Sequence, residues 1–154
     1  VDDELLASTI TTNLMGPIRM TSALIEHLKK ADEAYVAYTS SVLGFVPMAL
    51  TAVYSATKAA LHSYALSQRF MLRDTSVKVL EIAPPWVRTE LMDSSEAELA
   101  MPLDEFIAET IAVLGTDAVE ILVERAKPLR ANAGADEHAF VTEFNAQLLA
   151  LYAQ

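Results

Sequence analysis

The chain has 154 residues, 53% of them hydrophobic, with four glycines and six prolines, which suits one globular domain over residues 1–154 burying about 70% of its unfolded surface. A net charge of −10, from 21 acidic and 11 basic residues with no lysine or arginine run, excludes the basic footprint of a nucleic-acid binder. Zero cysteines exclude disulfides and thiolate metal sites; no apolar run reaches the ~18 residues of a membrane span and no signal peptide is visible, so the expected compartment is the cytoplasm.

Leu6, Ile10, Leu14, Ile18, Thr21, Ile25 and Leu28 recur at three- and four-residue steps, predicting a long amphipathic helix from about Asp3 to Lys30. Asn13 interrupts its apolar side, and Gly16-Pro17 follows. A proline within a helix removes a backbone hydrogen bond and invites a kink. Two readings of Asn13 follow: pairing with a neighbouring loop, or standing beside carbonyls that hold a water.

Ala34 to Thr39 is short, aromatic and β-branched and reads as a buried parallel strand, ending in Ser40-Ser41. Ser41 therefore lies where the strand runs into a loop, and in open α/β sheets ligands bind at the carboxyl ends of strands. Val42 to Leu50 is that loop, leading to a helix from about Ala52 to Arg73.

Tyr54 and Lys58 stand near the start of this helix, four residues apart and so on one face. Free tyrosine titrates near ~10, too high for a base at neutral pH. A cation ~4 Å away at an effective dielectric of ~20 supplies up to ~4 kcal/mol toward the phenolate before desolvation and screening. The pair is thus a candidate acid/base group, although Tyr-x-x-x-Lys arises by chance in roughly one such sequence in six and needs support from its surroundings.

Val77 to Ala83 reads as a second strand, ended by Pro84-Pro85, which forces an extended turn through Trp86, Val87, Arg88 and Thr89. Trp86 suits a pocket wall or a cover for the sheet end equally well. An acidic helical stretch from Glu90 to Ala100 reads as a solvated, flexible face, and a helix from Leu103 to Leu114 follows. A third strand from Glu120 to Glu124 leads to the basic residues Arg125, Lys127 and Arg130, a loop at Gly134 and a closing helix from Glu137 to Ala153. Strands alternating with helices indicate a parallel α/β sheet. His27, His62 and His138 show no metal-ligand spacing and read as surface or packing residues.

Together these residues resemble the catalytic half of the short-chain dehydrogenase/reductase (SDR) family over residues 1 to about 125. Its Asn, Ser, Tyr and Lys correspond to Asn13, Ser41, Tyr54 and Lys58, with Ser41 thirteen residues before Tyr54. Ala83-Pro84-Pro85-Trp86-Val87-Arg88-Thr89 is similar to the Pro-Gly-x-Val-x-Thr segment beside the nicotinamide. The double proline and last helix resemble an oxidoreductase subgroup named after a lipoteichoic-acid operon. The departures are Pro85 in place of glycine and the lack of a glycine-rich nucleotide loop, since Gly16, Gly44, Gly115 and Gly134 are dispersed.

The resemblance implies the second half of a doubly wound Rossmann fold, about three parallel strands with flanking helices, without its nucleotide-binding half. It implies NAD or NADP as cofactor, an alcohol or carbonyl as small-molecule substrate, and a homodimer or homotetramer paired through the Asp3–Lys30 and Ala52–Arg73 helices. Tyr54 would exchange the proton, Lys58 lower its pKa and hold the ribose, Ser41 bind the substrate oxygen and Asn13 position a relay water. Pro84, Pro85, Val87 and Thr89 would border the cofactor. The rival expectation is a truncated half-fold that catalyses nothing and acts through a partner.

Overall fold

The computed structural model describes residues 2–131 and 136–152. A helical arm opens the chain as α1 (Asp3–Ile10), a π-helical turn at Thr11–Met15, and α2 (Gly16–Leu28). The side chain of Asp2 caps α1 by accepting from Leu5 N. The kink expected at Gly16-Pro17 is instead the π turn, closed by Gly16 N donating to Thr11 O. Pro17 has no N–H to give the Asn13 carbonyl four residues back, and a wider turn absorbs that mismatch.

Strands β1 (Ala34–Thr39), β2 (Val77–Ile82) and β3 (Glu120–Ile121) form one parallel sheet in the order β1-β2-β3. Register runs from Ala34 opposite Val77 to Thr39 opposite Ile82, and β3 meets β2 at Glu81 and Ile82. Between the first two strands lies α3 (Ala52–Met71), the crossover that a parallel pair requires. Period-2 alternation sends Ala34, Tyr38, Val77 and Val79 onto Leu61, Ala65 and Leu72, with Ile25 and Leu28 of α2 beside them. The hydroxyls of Thr21 and Tyr38 share a 2.7 Å hydrogen bond that fastens α2 to β1. On the opposite face of β1, Tyr35, Ala37 and Thr39 are exposed among the described residues.

The remaining elements, α4 (Leu103–Leu114), α5 (Lys127–Arg130) and α6 (Glu137–Tyr152), gather at the carboxyl end of the sheet. Phe45, Val46 and Ala83 pack with Val141 and Phe144 of α6, whose Asn145 also accepts from Ala49 N and donates to Pro47 O. Three sequence boundaries move. The third strand stops at Ile121, because Val123 turns into a 3-10 turn at Glu124–Ala126. The Glu90 to Ala100 stretch is largely solvated, as expected, but its helix is a 3-10 helix at Leu91–Glu96, organised around the buried hydroxyl of Ser94. That hydroxyl hydrogen-bonds Val87 O at 2.8 Å and Leu91 O at 2.9 Å. The Val42 to Leu50 loop contains two 3-10 turns. Gly134 and Ala153 lie outside the described residues.

Candidate active site

Where β1 ends, Ser40 continues the ladder by donating to Ile82 O, and the chain then turns sharply through Ser41, whose Oγ caps the next turn by accepting from Leu43 N at 3.1 Å. Gly44 lets this turn lie against α3: a Cβ there would stand 3.0 Å from both the carbonyl carbon and oxygen of Lys58. Close approach brings the serine loop alongside the face bearing Tyr54 and Lys58. Helix α3 is itself set by Ser55 and Thr57, both buried, with Ser55 Oγ accepting from Met48 N.

Ser41, Tyr54 and Lys58 line one cavity of about 490 Å³, together with Pro84, Pro85, Val87 and Thr89. Its outer wall is apolar, formed by Trp86, Leu91, Leu99, Leu103 and Phe106, so of its two sequence readings Trp86 takes the pocket wall. Asn13 lies apart, in an adjoining groove between α2 and β1 that shares Thr39 and Lys58 with the cavity. Its Nδ2 donates to Thr57 Oγ1 at 3.2 Å, and that hydroxyl donates to Tyr54 O at 2.7 Å. Asn13 thus pairs with a helix, not with a loop, and reaches Tyr54 through its backbone.

The electrostatics differ from the simple Coulomb argument. Lys58 Nζ stands 5.4 Å from the Tyr54 ring centroid and donates to Thr39 O at 2.9 Å. Burial pushes the Tyr54 phenol above its ordinary value, and the Ser41 hydroxyl beside it pulls only partly back. Burial likewise lowers Lys58. Desolvation sets the direction here: the cavity wall is apolar and the ammonium is turned to a carbonyl. The expected lowering of Tyr54 by Lys58 is therefore not seen in this chain by itself.

The short chain dehydrogenase family model matches residues 1–100. The chain belongs to the short-chain dehydrogenase family. Within this family it is 36% identical over 143 residues to the uncharacterized oxidoreductase DltE of Bacillus subtilis, covering 90% of this chain and 57% of that protein. An uncharacterized oxidoreductase of Myxococcus xanthus is 34% identical over 119 residues, 77% of this chain and 43% of its own length. The chain thus spans about half the length of these relatives. A short-chain dehydrogenase from Burkholderia cenocepacia, solved in complex with NADP, superposes with a TM-score of 0.80 at 24% identity, covering 92% of this chain and 61% of that one. One from Sphingobium yanoikuyae in complex with NADPH gives 0.73 at 19%, over 97% and 58%. These two likenesses support the dehydrogenase fold.

A polar cluster under the cavity escaped the sequence reading. Glu81, wholly buried on β2, binds Ser40 Oγ at 2.5 Å and His62 Nδ1 at 2.7 Å. Next to it Glu120 pairs with Arg130 through two hydrogen bonds of 2.8 and 3.0 Å. The one available signal was a glutamate inside the apolar run Val77 to Ala83, since a carboxylate in a central strand demands a partner.

Proposed function

We propose that this chain carries the substrate-binding and proton-transfer side of an NAD(P)-dependent oxidoreductase that interconverts an alcohol and a carbonyl compound. The observation that carries the reading is the convergence of Ser41, Tyr54 and Lys58 in a largely apolar cavity at the carboxyl end of parallel strands. In the proposed reaction, Ser41 and Tyr54 hold the substrate oxygen by hydrogen bonds. A phenol raised by burial is protonated at neutral pH, so Tyr54 donates its proton to a carbonyl oxygen and accepts it back in the reverse direction. Lys58 and Thr39 fix the floor beneath the phenol.

The nicotinamide end of NAD or NADP fits the wall of Pro84, Pro85, Val87 and Thr89, with Lys58 within reach of a ribose hydroxyl, and Pro85 replaces the usual glycine without a strained backbone. When bound, the nicotinamide supplies or takes the hydride. Pyrophosphate finds no glycine-rich loop in these 154 residues. The chain alone should therefore bind NADPH above the micromolar range in a nicotinamide fluorescence titration, and micromolar affinity would contradict this part of the reading.

Tyr54→Phe in the enzyme tests the chemistry. Turnover should fall about 10²- to 10⁴-fold with nucleotide affinity nearly kept; unchanged turnover by a folded variant would end the proposal. Asn13 acts in this scheme through Thr57 and the Tyr54 backbone, with a relay water in the groove it lines. We place the protein in the cytoplasm as a homodimer or homotetramer. Met20 and Leu24 of α2 are 66% and 46% exposed, Phe70 and Met71 of α3 are 64% and 69% exposed, and β1 has no strand on its outer side among the described residues. Light scattering should give at least twice the 16.8 kDa chain mass, and a monodisperse monomer would reject the assembly.

A further inference from the structure

The ligand atoms of His62, Glu81 and Glu120 lie within 4.8 Å of one another, which invites a metal. Protein donors already take them up: Ser40 and His62 on Glu81, Arg130 on Glu120. Nor do Ser40, Glu81 and His62 form a hydrolytic triad. The carboxylate stands in the middle, so the imidazole does not touch the serine and cannot take its proton. What the arrangement does is mechanical.

Ser40 lies between two residues of the candidate site. On one side is Thr39, whose carbonyl accepts from Lys58 Nζ; on the other is Ser41, whose hydroxyl stands beside the Tyr54 phenol. Only 2% of Ser40 is exposed, and its hydroxyl ends on Glu81 Oε1. The second oxygen of the same carboxylate holds His62, which follows Lys58 by one turn and Tyr54 by two on α3. A single carboxylate on β2 therefore ties the end of β1 to the helix presenting the acid/base pair. Glu120 on β3, Arg130 on α5 and Arg69 on α3 complete the charged surroundings.

We infer that Glu81 is a positioning residue, holding through Ser40 and His62 the spacing between the Thr39–Ser41 turn and the Tyr54–Lys58 face of α3. The inference rests on the proposed use of that face, but its consequence is readable without turnover. If the Ser40 anchor is cut, the Thr39 carbonyl loses its fixed place and the Lys58 ammonium loses its acceptor. Burial of the ammonium remains, so its titration must move down.

The test is carbon NMR titration of the intact chain with 13Cε-labelled lysine, the Lys58 signal being identified by its loss in Lys58→Met. Ser40→Ala, which removes no charge, and Glu81→Leu should each lower the Lys58 midpoint by about half a pH unit, roughly threefold in its ionisation constant. Glu81→Gln should leave it within about 0.2 unit, since the amide can still accept from Ser40 and donate to Nδ1. Glu120→Gln, in the same cluster but off the path, should also leave it in place.

Three results overturn the inference. One is a Lys58 midpoint unmoved in folded Ser40→Ala, which shows Glu81 to be structural only. The second is a shift in Glu81→Gln equal to that in Glu81→Leu, which reduces the effect to charge acting through space. The third is an equal shift in Glu120→Gln. Should Glu81→Leu fail to fold, Ser40→Ala decides the matter. Absence of carbonyl reductase activity would sink the proposed function and leave this titration standing.

Discussion

The two walls of the cavity are built in opposite ways. The inner wall, Ser41, Tyr54 and Lys58, stands on β1 and α3 and is fixed by contacts between residues far apart in sequence: Gly44 against Lys58, Asn13 on Thr57, Ser40 on Glu81. The outer wall, Trp86 to Phe106, is anchored at its far end, where Met101 and Phe106 pack with Val42, Val123 and Ala126 and Leu99 O accepts from Arg125. Its middle is held by bonds within its own segment around Ser94, and Leu91, Leu99 and Leu103 are 64%, 61% and 45% exposed. Groups that must hold a reacting atom to a fraction of an ångström need the first kind of support. A surface that merely accommodates apolar substrate bulk tolerates the second. The inner wall is thus fixed across the layered core, whereas the middle of the outer wall is held mainly by its own segment.

Truncating each wall tests this most strongly. Leu61→Ala, under the inner wall and 2% exposed, should cost about 2–5 kcal/mol in urea unfolding, a large share of the ~5–15 kcal/mol of a typical domain. Leu91→Ala should cost less than ~0.5 kcal/mol, and equal losses would erase the distinction. Gly44→Ala comes next: its methyl meets backbone that cannot yield, so about 1–3 kcal/mol is expected together with displacement of the Lys58 amide resonance. A wild-type stability and spectrum would mean that the turn and α3 are not in tight contact.

Ser94→Ala should cost about 1 kcal/mol, but its main effect is local. Limited proteolysis should accelerate between residues 88 and 100 while Lys58 resonances stay put; movement of the inner wall as well would couple the two. The smallest effect concerns pH. Arg130 holds the Glu120 carboxyl below its usual range. A lowered carboxylate contributes stability above its unfolded pKa of ~4.3 and loses it as pH falls through the folded value. Glu120→Gln should therefore cost about 1 kcal/mol at pH 7, reduced by the partial exposure of Arg130, and almost nothing at a pH below the folded value. An equal cost at both pH values would assign the loss to packing.

Much of the inner wall was legible because it is written in local spacing. Tyr54 and Lys58 share a helix face, Ser41 ends a strand, and Pro84-Pro85 stops another; period alone orders these elements. What eluded the sequence depends on distance across the fold. His62 reads as an ordinary packing histidine until β2 brings Glu81 against it. The lowering of Tyr54 by Lys58 follows from a four-residue spacing, yet Thr39, 19 residues back from Lys58, captures the ammonium. Ser94 organises its segment by bonding carbonyls three to seven residues away, a pattern no hydrophobic period reveals.

The π turn at Thr11–Met15 carries a consequence of phase. One extra residue in a helical turn rotates everything beyond it by about 100°. The arm is therefore two helices with separate headings spliced at Asn13: α1 leans on α3, whereas α2 turns Thr21 and Ile25 to β1. Sequence position has become angle, and the splice falls at the residue that faces Thr57. Deleting a neighbouring residue of that turn would keep the chemistry of every remaining side chain and still point Asn13 in another direction, so the length of this arm is as much a part of the candidate site as any of its polar groups.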